Sequence, residues 1–135
     1  IPQFIKDYNI DNGIIYSCVK NNVPMVLTGS IRDDGPMPEV IASAYEGQSA
    51  MRNLVRRSTC VICLATMLHT IATGNMTPSF RVMPDGTIRP VYLYTVDADE
   101  FVVNKLLDRG SLCATTVVTN VQDFITIVAK GLKLM

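Results

Sequence analysis

The chain lacks a charge excess, a membrane-length apolar run and a glycine-rich phosphate loop, and each absence removes a class of function. Lys and Arg number 12 against 12 Asp and Glu in 135 residues, so the basic surplus of a nucleic-acid binder is missing. No apolar stretch reaches the ~18 residues that a bilayer span requires, and no secretory leader is visible. A membrane partner is therefore not expected. Neither G-x-G-x-x-G nor G-x-x-x-x-G-K-[ST] occurs. A dinucleotide bound here must have its pyrophosphate held by an upstream segment or by a second polypeptide. Internal repeats and low-complexity tracts are absent too. The chain begins at Ile1 without an initiator methionine, as expected of a piece of something longer.

What is present suits a buried α/β core. Composition is 48% hydrophobic and 18% charged, which favours a homo-oligomer over a solvated monomer. Residues 1–135 fit a single α/β domain able to bury roughly two thirds of its unfolded surface. The four cysteines, Cys18, Cys60, Cys63 and Cys113, lie in apolar runs. Cys60 and Cys63 have the spacing of a redox or zinc pair. On a strand, however, residues three apart point to opposite faces, so the sulfurs do not converge. Buried thiols, no bound metal and a reducing cytoplasm are expected.

Apolar β-type runs occupy 23–28, 60–65, 91–96 and 113–119. Between and around them lie helical patterns: Ile14, Ile15, Cys18 and Val19; a longer helix over 38–57; Val102, Val103, Leu106 and Leu107 before an Arg109-Gly110 stop; and a stripe of Val121, Phe124, Ile125, Val128 and Leu132. Strands apolar on both faces that alternate with helices predict a parallel sheet covered on two sides. Residues 77–90 break the rhythm, and Met83-Pro84-Asp85-Gly86-Thr87 predicts a hairpin insertion.

Three polar clusters follow these runs. One is the loop Gly29, Ser30, Arg32, Asp33, Asp34, Gly35, leading to Glu39. The second is Thr66 to Asn75, and the third is Asp97, Ala98, Asp99 and Glu100. In a parallel sheet the carboxyl ends of the strands lie along one edge, so the clusters are expected to face a common crevice. Asp97 suits an acceptor for the paired hydroxyls of a ribose, or else the N-cap of the next helix. His69, the only histidine, is either a packing residue or a proton carrier. Thr73-Gly74-Asn75 permits close backbone approach to a ligand, or is an ordinary helix end. Arg32 is either a fork for a carboxylate or phosphate or the ion-pair partner of Asp33 or Asp34.

At these clusters the chain resembles the carboxyl-terminal part of the archaeal-type ornithine cyclodeaminases, the lysine-oxoglutarate reductase/saccharopine dehydrogenase-like family. The similar runs are Tyr16 to Pro24, Leu27 to Ile41, Leu64 to Met76 and Lys105 to Ser111. The family in turn resembles deoxyhypusine synthase: His69-Thr-Ile-Ala-Thr-Gly-Asn75 is similar to its H-x-I-A-x-x-N run, Asp34-Gly35 with Glu39 to its D-G-x-x-x-D loop, and Asp97-Ala98 to its D-A pair. The resemblance implies a Rossmann-like, NAD-binding parallel sheet flanked by helices. It implies that Asp34, Asp97 and Ala98 contact NAD, with Gly29, Ser30, Ala65, Thr66, Gly74 and Asn75 around the same cofactor and Glu39 near the substrate amine. The chain departs from relatives in its Arg81 to Arg89 insertion, and in having Asp97-Ala98-Asp99-Glu100 where they carry Asp-Ile-Asn-Pro.

The activity so implied is NAD-dependent conversion of ornithine to proline and ammonia. Glu39 or Asp33 would serve the amine, Arg32 the substrate carboxylate, and His69 would carry a proton. One alternative is an aminobutyl transfer like that of deoxyhypusine synthase. That chemistry needs an imine-forming lysine, and residues 77–91 contain Arg81 and Arg89 but no lysine. Another is a non-catalytic nucleotide-binding half of a split enzyme.

Overall fold

The computed structural model describes residues 1–29, 39–107 and 111–134. The chain forms two compact units, Ile1–Met51 and Arg52–Met135.

In the first unit, α1 (Pro2–Asp7) starts with proline at a position where its missing N–H costs nothing. Gly13, at φ 95°, turns the chain into α2 (Ile14–Lys20). The strand expected over 23–28 does not form. Thr28 alone makes an isolated parallel bridge, to Ile41, closed by Gly29 N–H to Ile41 O at 3.1 Å and Ile41 N–H to Leu27 O at 2.9 Å. Pro24 has no N–H to give a ladder, and this bridge belongs to neither of the two sheets found among the described residues. Val40 and Ile41, expected on a helix, are therefore outside it, and α3 runs only over Ala44–Val55. Ser43 Oγ accepts from Glu46 N–H at 3.3 Å at its start. Gly47 is required there: a Cβ on it would lie 2.8 Å from Thr28 Cγ2. The expected helix start at Pro38 lies outside the described residues.

The second unit is built on a parallel three-stranded sheet, β1 (Cys60–Leu64), β4 (Tyr92–Asp97) and β5 (Cys113–Val118), in the order β1-β4-β5. It carries α4 (Met67–Met76), α5 (Glu100–Leu106) and α6 (Val121–Gly131). Helix α5 packs on β4 and β5, α4 against α5, and α6 against β4. The central strand is the most buried. Val91, which precedes it, and Leu93 and Val96 within it are 0–1% exposed, and α5 adds Val103 and Leu106. This is the sheet flanked by helices that the apolar runs predict. The expected stop of α5 at Arg109-Gly110 lies outside the described residues.

Between α4 and β4, β2 (Phe80–Val82) and β3 (Ile88–Pro90) pair antiparallel as a hairpin. Its turn closes on itself: Gly86 sits at φ 81°, and Met83 N–H reaches Thr87 O at 2.8 Å. Asp85 Oδ1 accepts from Thr87 N–H at 3.0 Å and from Thr87 Oγ1 at 2.6 Å. These bonds from Thr87, side chain first and backbone second, hold the Asp85 carboxyl below its ordinary pKa.

The expectation of buried thiols needs correction, and the α6 stripe shows how far its cover extends. The stripe of α6 is not fully covered: Phe124 and Ile125 are half-buried, and no α6 residue is fully buried. Of the four free cysteines, Cys63 is buried, Cys18 and Cys113 are half-buried and Cys60 is exposed, because β1 is an edge strand and Cys60 opens it. Burial pushes the Cys63 thiol above its ordinary pKa, and a hydrogen bond from Thr70 opposes that rise only in part. Among the described residues no helix is long and apolar enough to cross a membrane.

Two outcomes follow from this packing. Leu93→Ala removes a side chain at the centre of the sheet and should lower unfolding free energy by about 2–5 kcal/mol in urea titration. Cys60 should react with a maleimide in the native protein while Cys63 reacts only on unfolding. Because the folded Cys63 thiol ionises at higher pH than the unfolded one, its contribution to stability is complete below the ordinary thiol pKa. The contribution declines as pH rises above that value. Equal native labelling of the two would contradict the burial.

Candidate functional site

The site is set by where β1 and β4 stop. Leu64 pairs with Val96, and the ladder extends one step further through Ala65 N–H to Val96 O at 2.9 Å. On the other side Asp97 pairs with Val118, and Thr119 N–H reaches Asp97 O at 2.9 Å. Ala65, Asp97 and Thr119 therefore stand in a row on the carboxyl edge of the sheet, with the helices α4, α5 and α6 starting just beyond them.

Asp97 is half-buried, and its Oδ1 accepts from Asp99 N–H at 3.0 Å. Asp99 is the N-cap of α5, its Oδ1 taking Phe101 N–H at 2.9 Å. The capping role open to Asp97 in the sequence thus belongs to Asp99. Ala98 and Glu100 are exposed beside them.

Ala65 lies at φ 52°. A non-glycine residue in the left-handed region is unfavourable by roughly 1–2 kcal/mol, and such strain collects where a turn must hold a fixed direction. Here it turns the chain from β1 straight into α4. Thr66 follows as the N-cap of α4, and its Oγ1 lies 3.0 Å from Nδ1 of His69. His69 is exposed.

Helix α4 presents a buried polar face, unusual for a helix next to a core. Thr70, Thr73 and Thr77 are 2–8% exposed. Each hydroxyl is satisfied inside the helix: Thr70 donates to Thr66 O, Thr73 to His69 O at 2.7 Å, and Thr77 to Thr73 O at 2.7 Å. Threonine back-bonding of this kind gives each of these buried hydroxyls an acceptor on its own chain segment.

The residues singled out in the sequence divide into groups. Ala65, Thr66, His69, Asp97 and Ala98 share the carboxyl edge of β1 and β4. Gly74 is buried and Asn75 exposed in the last turn of α4, roughly 12 Å along the helix from Thr66 at 1.5 Å per residue. Gly29 and Glu39 belong to the first unit, where both are exposed. Glu39 is at φ 66°, and its two carboxylate oxygens each accept from the Ile1 amine at 3.0 Å. Ser30, Arg32, Asp33 and Asp34 lie outside the described residues. Thr119 and Asn120 join the same edge although sequence reasoning passed over them. Their signal was a polar Thr-Asn step between an apolar strand and a helical stripe, and Asn120 caps α6 through Gln122 N–H at 2.8 Å. An apolar cavity of about 350 Å³ lined by Phe4, Ile5, Ile10, Ile14 and Ile15 belongs to the first unit and includes none of these residues.

Comparison with known proteins places this geometry. The family model described as arginine dihydrolase ArgZ-like, C-terminal, Rossmann fold matches residues 1–128. The chain is 48% identical over 126 residues to an ornithine cyclodeaminase of Methanothermobacter thermautotrophicus, covering 93% of this chain and 28% of that protein. Among solved structures, a conserved LOR/SDH protein from Methanococcus maripaludis S2 superposes with a TM-score of 0.79 at 41% identity, over 96% of this chain and 35% of that one. The ternary complex of AgrE with ornithine and NAD+ superposes with a TM-score of 0.76 at 36% identity, over 97% of this chain and 18% of that one. The chain spans at most 30% of the length of the curated relatives it matches.

One measurement checks the strained turn. Ala65→Gly should raise stability by about 1 kcal/mol by removing the Cβ conflict at positive φ, and Ala65→Val should lower it, both read as urea midpoints.

Proposed function

The chain belongs to the arginine dihydrolase ArgZ-like family, as its C-terminal Rossmann domain, and from that premise we propose that it is the NAD-binding part of an NAD-dependent ornithine cyclodeaminase. The reaction converts ornithine to proline and ammonia. The observation that carries the cofactor half of this reading is Asp97: a half-buried carboxylate at a strand terminus, with the cap of the next helix supplied by Asp99. That carboxylate suits the paired hydroxyls of a ribose. The exposed Ala65 on the neighbouring strand carries nothing larger than a methyl at the edge, so a flat ring can approach closely.

NAD, when bound, supplies the acceptor that takes and returns a hydride at the ornithine α-carbon. This chain supplies the surroundings. In the proposed assignment Asp97 and Ala98 hold the ribose, and Ala65 and Thr66 line the cofactor through their backbone. Gly29, Ser30 and Asp34 complete its contacts, while Gly74 and Asn75, at the far end of α4, are not assigned to them. Arg32 pairs with the substrate carboxylate, Asp33 or Glu39 receives the amine, and His69 carries a proton while the δ-amine closes the ring and ammonia leaves. The missing glycine signatures and the short span relative to curated relatives support an upstream segment or second polypeptide that completes the pyrophosphate site. The neutral charge and 48% apolar composition support a homo-oligomer, and the four free cysteines a reducing cytoplasm.

The test uses the full-length protein carrying this sequence. With ¹⁵N-labelled ornithine and catalytic NAD, proline and ammonia should form in equal amounts with no net NADH. Absence of proline would overturn the activity. Asp97→Ala should weaken NAD binding by about tenfold or more, since hydrogen bonds to a charged acceptor are lost, with little change in the melting midpoint. An unchanged Kd for NAD would remove Asp97 from the site.

A further inference from the structure

Thr66 occupies the N-cap of α4 with φ −150° and ψ 112°. From that position a threonine hydroxyl ordinarily accepts from a backbone N–H two or three residues on. It makes no such cap bond. Its Oγ1 instead lies 3.0 Å from His69 Nδ1, the side chain three residues on, which for an N-cap is the position used in a reciprocal capping box. The hydroxyl has exchanged a helix-stabilising bond for a contact with the one histidine of the chain. The residue just before it, Ala65, is held at φ 52° on the carboxyl edge beside Asp97, so the base of the contact is fixed to the sheet.

We propose that Thr66 is the positioning residue for His69, holding Nδ1 so that Nε2 is the nitrogen presented to the substrate. The inference rests on the assignment of His69 as proton carrier. A hydroxyl is both donor and acceptor. It donates to Nδ1 when that nitrogen is bare and accepts from it when that nitrogen carries a proton. With the hydroxyl accepting from Nδ1–H, Nε2 is bare in the neutral ring and protonated in the imidazolium, while Nδ1 keeps its proton and the ring its pose in both. Among the described residues Nε2 has no partner, which leaves it for the ligand. Threonine fits for a second reason: its β-branch limits χ1, so the hydroxyl is held in few directions.

The experiment compares Thr66→Val, which keeps the shape and removes the hydroxyl, with Thr66→Ser, which keeps the hydroxyl, in the full-length protein. Thr66→Val should lower kcat for proline formation by about tenfold or more, part of the 10²–10⁴-fold that a positioned proton carrier contributes. KM for ornithine and Kd for NAD should stay within about threefold, and Thr66→Ser should restore most of kcat. In a His69→Ala background Thr66→Val should cause no further loss. If His69→Ala alone leaves kcat unchanged, the proton-carrier reading of His69 fails. If His69→Ala abolishes turnover while Thr66→Val does not reduce it, that reading stands and the positioning role is overturned. A spectroscopic measurement needs no turnover: the histidine Nδ1 ¹⁵N resonance should move in Thr66→Val and return in Thr66→Ser, and an unmoved resonance overturns the contact.

Discussion

The parallel pairing of β4 with both of its neighbours is the constraint on which the second unit depends. Val91, Leu93 and Val96 are shut off from water on a strand whose own hydrogen bonds run to β1 on one side and β5 on the other. A slip of one residue would exchange the face of Leu93 and Thr95, which is buried, for that of Tyr92 and Tyr94, which is not, so burial fixes the register. The amino ends are tied as well: Val91 N–H reaches Ser79 O at 3.1 Å, and the Ser111 hydroxyl donates to Val91 O. With register fixed along its length, the places where the strands stop are fixed too, and the polar residues that follow fall side by side.

That edge joins packing to chemistry. Ala65 and Asp97 become neighbours because Leu64 faces Val96, not through any contact of their own. The helices then begin with separate devices: Thr66 with its hydroxyl given to His69, Asp99 with an ordinary cap, Asn120 with another. The one start that departs from ordinary capping is the one that follows a left-handed alanine.

Legibility in the sequence followed the same physics. The strands of the parallel sheet could be read from residues such as Val91, Leu93 and Val96, because burial on two faces demands continuous apolar character. The run from Val23 to Thr28 has similar composition yet makes only a bridge, since composition does not reveal whether a partner strand exists and Pro24 removes a donor. Val40 and Ile41 fitted a helical stripe, but the Ile41 backbone bonds to Leu27 and Gly29 instead. The α6 stripe was visible, but its cover was not, because periodicity says which face is apolar and nothing of what lies on it. At the site, Thr66, His69 and Asp97 were legible as polar residues at strand ends. The left-handed turn at Ala65 was not, because alanine carries no mark of the φ it will adopt. Gly74 and Asn75 read as close to Thr66 along the chain, whereas the rise of the helix carries them a full element away.

The hairpin turn has a consequence for variation. Residues Met83 to Thr87 close through bonds among themselves, and their ring of contacts asks nothing of the parallel sheet. Exposed tips of this kind accept foreign sequence most readily. A peptide tag or a spectroscopic label spliced between Pro84 and Gly86 would ride on the molecule as a passenger, reporting from outside while strand alignment and the row of edge residues stay as they were.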